Sequence, residues 1–159
     1  MPRRPEMVKR TRFDDNPCPV ARSVDAIGDW WSLLIIRDAF DGSRRFGEFQ
    51  RSLGVAKNIL SARLRALVEA GILAVEPASD GSAYQAYVLT PKGEDLFPVV
   101  VALRQWGERH SFEPDEPHSE LLDRRDDRPL RELAVLAADG RPVGPADTVV
   151  HKVPEPERA

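Results

Sequence analysis

Residues 44–73, RRFGEFQRSLGVAKNILSARLRALVEAGIL, constrain the fold of this chain more than any other stretch. Phe46, Phe49 and Leu53 recur at i, i+3 and i+7, and Gly54 is a natural stop for a short helix. Leu60, Leu64, Leu67 and Val68 then form a second apolar stripe over about 56–70, closed by Gly71. Two short amphipathic helices joined by a tight turn predict a helix-turn-helix, a unit whose second helix suits a DNA major groove.

With roughly 100° per residue, the stripe of the second helix faces inward. Asn58, Ala62 and Arg65 point the other way, flanked by Ile59 and Ser61. Asn pairs bidentately with adenine and Arg with guanine. Ala62 and Ala66 keep the middle of that face shallow. Lys57 falls in the first turn, where the positive helix end favours a phosphate. Arg63 lies to the side and suits the phosphate rail, as do Arg44 and Arg45 just before the first helix. The expected DNA-binding set is therefore Arg44, Arg45, Lys57, Asn58, Ser61, Ala62, Arg63 and Arg65.

The formal net charge is -3, so this basic character is local. Residues 43–66 hold six basic side chains and one acidic, whereas 111–127 hold seven acidic and two basic. Residues 1–12 hold five basic and one acidic. A weakly acidic chain with segregated basic segments can bind nucleic acid through one face, although such segments also serve as plain solvated surface.

The rest of the chain frames this motif. Residues 1–12 are expected to be a disordered basic arm. Pro19 opens a helix to Ile27 carrying Val20, Val24 and Ile27 on one side, with Gly28 after it. Asp29 caps the next helix, WWSLLIIRDAF, which is apolar nearly all round and belongs in the core. After Gly71 the period changes. Ile72–Val75 and Tyr84–Leu89, separated by Ser79-Asp80-Gly81-Ser82, predict a β-hairpin. Thr90 and Pro91 start a helix reaching about residue 109, with Leu96, Val100, Leu103 and Trp106 on its apolar face; Pro98 either kinks it or bends its start. The winged part is thus expected over 13–112. Residues 113–159 are expected to be an acidic hinge followed by a small metal-free β-module, with strands near 130–137 and 148–153. The fold class is mainly α with a small β-hairpin wing, plus that short C-terminal β-module.

Composition narrows the function further. Apolar runs such as SLLII and FPVVVAL are too short to cross a bilayer, so no membrane partner is expected. The basic N-terminus lacks an apolar segment after it and does not read as a secretory signal; a cytoplasmic location is expected. One cysteine, Cys18, leaves no internal disulfide and no thiolate-rich zinc site. Only His110, His118 and His151 supply imidazoles, and no HExxH, GxSxG, P-loop or GxGxxG is present. No enzyme activity, metal or cofactor is expected.

CPVARSVDAIGDWWSLLIIRDAF, RFGEFQRSLGVAKNILSARLRALVEAGIL and YVLTPKGEDLFPVVVALRQWG together resemble the HxlR-type transcriptional regulators, relatives of the MarR group in the winged-helix superfamily. The resemblance spans about residues 18–110. It rests on Cys-Pro, Trp-x-Leu-Leu-Ile, Arg-Phe-x-Glu-Phe, Leu-x-x-Arg-Leu-x-x-Leu and Leu-Thr-x-x-Gly in that order. It implies a homodimer, built from the first helix and the helix after the wing, that binds a roughly palindromic double-stranded DNA operator. Two departures stand out. The wing tip, SDGSAYQA, has no Arg or Lys, so the basic arm is the alternative minor-groove contact. The tail resembles a zinc-ribbon-like extension of some longer relatives, yet has no cysteine.

Three matters stay open at this level. Trp30, Trp31, Phe40 and Trp106, with Phe46 as a further aromatic, are candidates to line a small-molecule effector pocket, or are simply core. Cys18, at the start of the first helix, is a candidate redox sensor because the Cys-Pro cysteine is a thiol sensor in some HxlR-like regulators; the alternative is an inert capping residue. A winged helix used only for protein contacts is the alternative function, and it would carry exposed apolar anchors where Asn58 and Arg65 stand.

Overall fold

The computed structural model describes residues 12–154 and 157. The expected basic arm therefore falls outside the described residues, apart from Arg12.

Four helices build the first half: α1 (Pro19–Ile27), α2 (Trp30–Phe40), α3 (Phe46–Leu53) and α4 (Lys57–Glu69). Their ends are set by local chemistry. Asp29 caps α2 by accepting from the Ser32 N–H at 2.9 Å. The Glu48 carboxylate accepts from the backbone N–H groups of Arg44 and Arg45, satisfying donors at the start of α3. The first of these bonds holds its pKa below the ordinary carboxylate value. Gly54 ends α3 at φ 62°, the left-handed conformation glycine adopts freely.

The hairpin follows as β1 (Leu73–Pro77) and β2 (Gln85–Leu89), antiparallel with Leu73 opposite Leu89 and Pro77 opposite Gln85. The Tyr87 N–H also bonds to the Arg44 carbonyl at 2.7 Å. The wing is thereby pinned to the segment that enters α3.

Ile35, Ile36, Phe49, Leu60, Leu64, Leu67, Ile72 and Leu73 are fully buried and form the centre of one core. The apolar stripe of α4 and the all-round apolar α2 meet there, as their periodicity requires. Trp31, Phe40 and Phe46 pack around it, half-buried.

Two expectations need correction. The single helix over 91–109 is divided into α5 (Pro91–Glu94) and α6 (Phe97–His110). Pro98 has no N–H to donate to the carbonyl four residues back, so it takes a first-turn position of a new helix rather than kinking an old one. The strands expected near 130–137 and 148–153 do not form. Among the described residues the tail holds only the isolated bridges Leu122–Pro129 and Leu136–Pro142 and a short 3-10 turn, Pro145–Asp147. Pro129, Pro142 and Pro145 supply no ladder donors, and no second layer covers Leu133, Val135 or Leu136, which stay exposed. The tail is instead tied to α6 through side chains. The Gln105 amide donates to the Arg131 carbonyl at 3.0 Å and accepts from the Leu133 N–H at 2.7 Å, mimicking one step of a strand ladder. Arg109 pairs with Glu132, and Arg104 donates to the Ser119 carbonyl and hydroxyl.

Candidate nucleic-acid interface

The outward side of α4 is the candidate reading surface. Its core side is fixed by Leu60, Leu64 and Leu67, all with essentially no exposure. With 3.6 residues per turn, that anchoring leaves Lys57, Asn58, Ser61, Ala62, Arg65 and Ala66 exposed on the opposite side. Among the described residues no hydrogen bond or ion pair engages the side chains of Lys57, Asn58 or Arg65. Ala56 at the N-cap contributes no side-chain cap, so the first N–H groups of α4 are open to an anion. The surface offers two amide donors, one acceptor and a guanidinium fork above an approachable backbone. Those are the groups that base edges and phosphates require.

The flanking cations are engaged elsewhere. Arg44 donates to the carbonyls of Ala39 and Ser43 and so closes the turn between α2 and α3. Arg45 pairs with Asp80 at the wing tip, and its guanidinium carbon lies 5.9 Å from the centre of the Tyr84 ring. The Ser82 N–H, then Arg45, pull the Asp80 carboxyl down to about 2. Arg63 is half-buried, and its Nε sits 3.5 Å from Asp29 Oδ1 rather than out along a phosphate rail. Asp29 and Asp80 are the residues that sequence reasoning left out of the site. Each is distant in sequence from its arginine, and no local pattern signals the pairing.

A second surface is apolar. Pro19, Val20, Val24, Ile27, Leu33, Leu96, Val99 and Leu103 line a largely apolar cleft of about 450 Å³ between α1 and α6. Val20 is 70% exposed and Leu103 51%.

The aromatic candidates for an effector pocket are dispersed. Trp30 is exposed and meets Trp31 edge-on, with ring centres 6.3 Å apart. Phe40 packs on Phe97, and Trp106 is exposed on α6 beside His110. Cys18 is exposed at the N-cap of α1. Arg22, one turn on, directs its Nε to the Asn16 carbonyl.

A sequence model of the HxlR-like helix-turn-helix family matches residues 26–115. The chain belongs to that family. Rv3095 of Mycobacterium tuberculosis, named as an HTH-type transcriptional regulator, is 43% identical over 102 residues. That match spans 64% of this chain and 65% of Rv3095. The crystal structure of PA1607, described as a candidate transcription factor, superposes with a TM-score of 0.85 at 55% identity, covering 90% of this chain and 100% of that one. The redox regulator HypR in its reduced form gives a TM-score of 0.55 at 32% identity over 59% of this chain and 94% of its own. The HxlR-like chain described here thus has the winged helix-turn-helix fold. Among the described residues no helix is long and apolar enough to cross a membrane.

Proposed function

We propose that this HxlR-like regulator is a cytoplasmic homodimer that reads a pseudo-palindromic operator with α4. The observation that carries the reading is the exposed, unengaged polar side of α4, held outward by three fully buried leucines. In this reading Asn58 and Arg65 contact base edges, Ser61 and Ala62 let the helix approach, and Lys57 with the open α4 N-terminus holds a phosphate. Arg44 and Arg45 stand beside the DNA and reach the backbone only by leaving their present partners. Their pairing favours the N-terminal arm as the flanking contact.

The α1–α6 cleft is the dimer face. Its apolar side chains include more exposed surface than a lone winged helix needs, and twofold pairing covers them. Residues 13–112 carry this activity, and 113–159 form a metal-free appendage that Ser119, Arg131, Glu132 and Leu133 tie to α6. Operator occupancy responds to a small ligand or to oxidation. For oxidation, the exposed Cys18 thiols of two protomers form one S–S bond, giving two protons and two electrons to an oxidant such as peroxide, which leaves as water.

The test begins by enriching duplexes from a random library with the purified protein. Anisotropy with the enriched duplex and a scrambled control then gives specific and non-specific Kd values across a salt series. The expected result is a specificity ratio of at least about 10³ with a steep salt dependence. Failure to enrich any duplex contradicts the DNA reading and leaves the protein-contact module.

A further inference from the structure

Arg63 lies on the recognition helix, yet its environment is that of a strut rather than a DNA contact. Its Nε is buried and has no hydrogen-bond partner. The Asp29 carboxylate, 3.5 Å away, is the counter-charge the structure gives it. Asp29 in turn is firmly held. It accepts from the Ser32 N–H at 2.9 Å and from the Ser32 hydroxyl, and Ser32 is itself buried. Gly28 immediately before it admits no side chain, because a Cβ there would collide with the Val24 carbonyl oxygen. The Asp29 carboxylate is therefore fixed at the first turn of α2, one residue after the close approach of Gly28 to the last turn of α1.

We infer that the Arg63–Asp29 pair sets the roll of α4 about its own axis, making Arg63 a positioning residue for base reading. A guanidinium nitrogen out of water needs a counter-charge, and losing it is costly. The buried leucine stripe fixes which side of α4 faces outward, and the charge pair, off that stripe, adds a second tie against small rotations. Ser61, Ala62 and Arg65 are neighbours of Arg63 in sequence, so any such rotation moves them with it. The same carboxylate caps α2, so the pair also ties the reading helix to the start of α2. This role rests on α4 being the DNA-reading helix.

The experiment compares the full chain with Arg63→Ala, Asp29→Asn, the double variant and Arg63→Lys on the duplex the wild type enriches. Asparagine caps helices as well as aspartate, so Asp29→Asn removes the charge and keeps the α2 cap. The expected result is a drop of about tenfold in the ratio of specific to scrambled affinity for each single variant. The double variant is no worse than either single one, Arg63→Lys recovers part of the ratio, and the salt slope is unchanged throughout. A phosphate contact predicts the opposite pattern. Arg63→Ala then lowers the slope by about one and weakens both duplexes alike, while Asp29→Asn leaves binding intact or tightens it. That pattern overturns the strut. If the wild type enriches no duplex, the DNA reading falls first and the positioning role falls with it; far-UV circular dichroism on each variant separates both results from misfolding.

Discussion

Replacing Leu103 tests the dimer face at a position where the monomer fold has little at stake. Fully burying a leucine side chain is worth about 1.5–3 kcal/mol. Leu103 is already half covered, with 51% of its surface exposed, so a partner gains about 0.8–1.5 kcal/mol by covering the rest. A twofold interface presents each residue twice, which doubles the term to about 1.5–3 kcal/mol. Leu103→Ala should therefore raise the dimer Kd roughly 10- to 150-fold. Leu103→Glu should do more, because it brings two carboxylates into an apolar cleft with no counter-charge among its lining residues. Sedimentation equilibrium over a concentration series reads both, and urea unfolding of the monomer controls for stability. Leu103→Glu that associates as tightly as wild type would refute the placement of the dimer face on α1 and α6.

Three further outcomes follow from the same structure. Phe49 has no exposed surface and packs edge-on against Tyr87, so Phe49→Ala should destabilise the fold by about 3–5 kcal/mol in urea, and a loss under 1 kcal/mol would contradict its central place. The Asp80 carboxyl is drawn down to about 2 by Ser82 and Arg45; a depressed acid contributes stability that is fully present above its ordinary value near 3.8 and fades as pH falls toward 2, so the carboxyl carbon should titrate near 2 by NMR, and a midpoint at or above 3.8 would exclude the wing-tip pairing. Oxidation should cross-link the wild type through Cys18 and shift its operator affinity, whereas Cys18→Ser should stay unlinked and unchanged; equal responses of both proteins would leave the signal to a non-covalent ligand.

The helix-turn-helix was legible because its signals are local. Asp29 before Trp30, Gly54 after Leu53 and the four-residue spacing of the leucines each act within one turn or two. The outward side of α4 follows from the same periodicity. Pairings between distant segments were not legible. The residues 44–65 advertise their cations, but nothing nearby shows that Asp80 holds Arg45 or that Asp29 holds Arg63. The division between α5 and α6 was ambiguous because Pro91 and Pro98 both suit a first turn, and only packing decides whether the second one kinks a helix or begins one. In the tail, Leu130, Leu133 and Val135 alternate like a strand, yet a strand needs donors and a covering layer, and prolines and solvent stand where those would be.

Methylation interference on the enriched duplex tests the central claim most directly. A methyl group on guanine N7 blocks the acceptor that an arginine fork uses. Wild-type protein should show strong interference at one guanine in each half-site, about one helical turn apart, and Arg65→Ala should lose that interference while losing about 1–3 kcal/mol of affinity. An unchanged interference pattern in Arg65→Ala would contradict the assignment of α4's outward side as the surface that reads the operator.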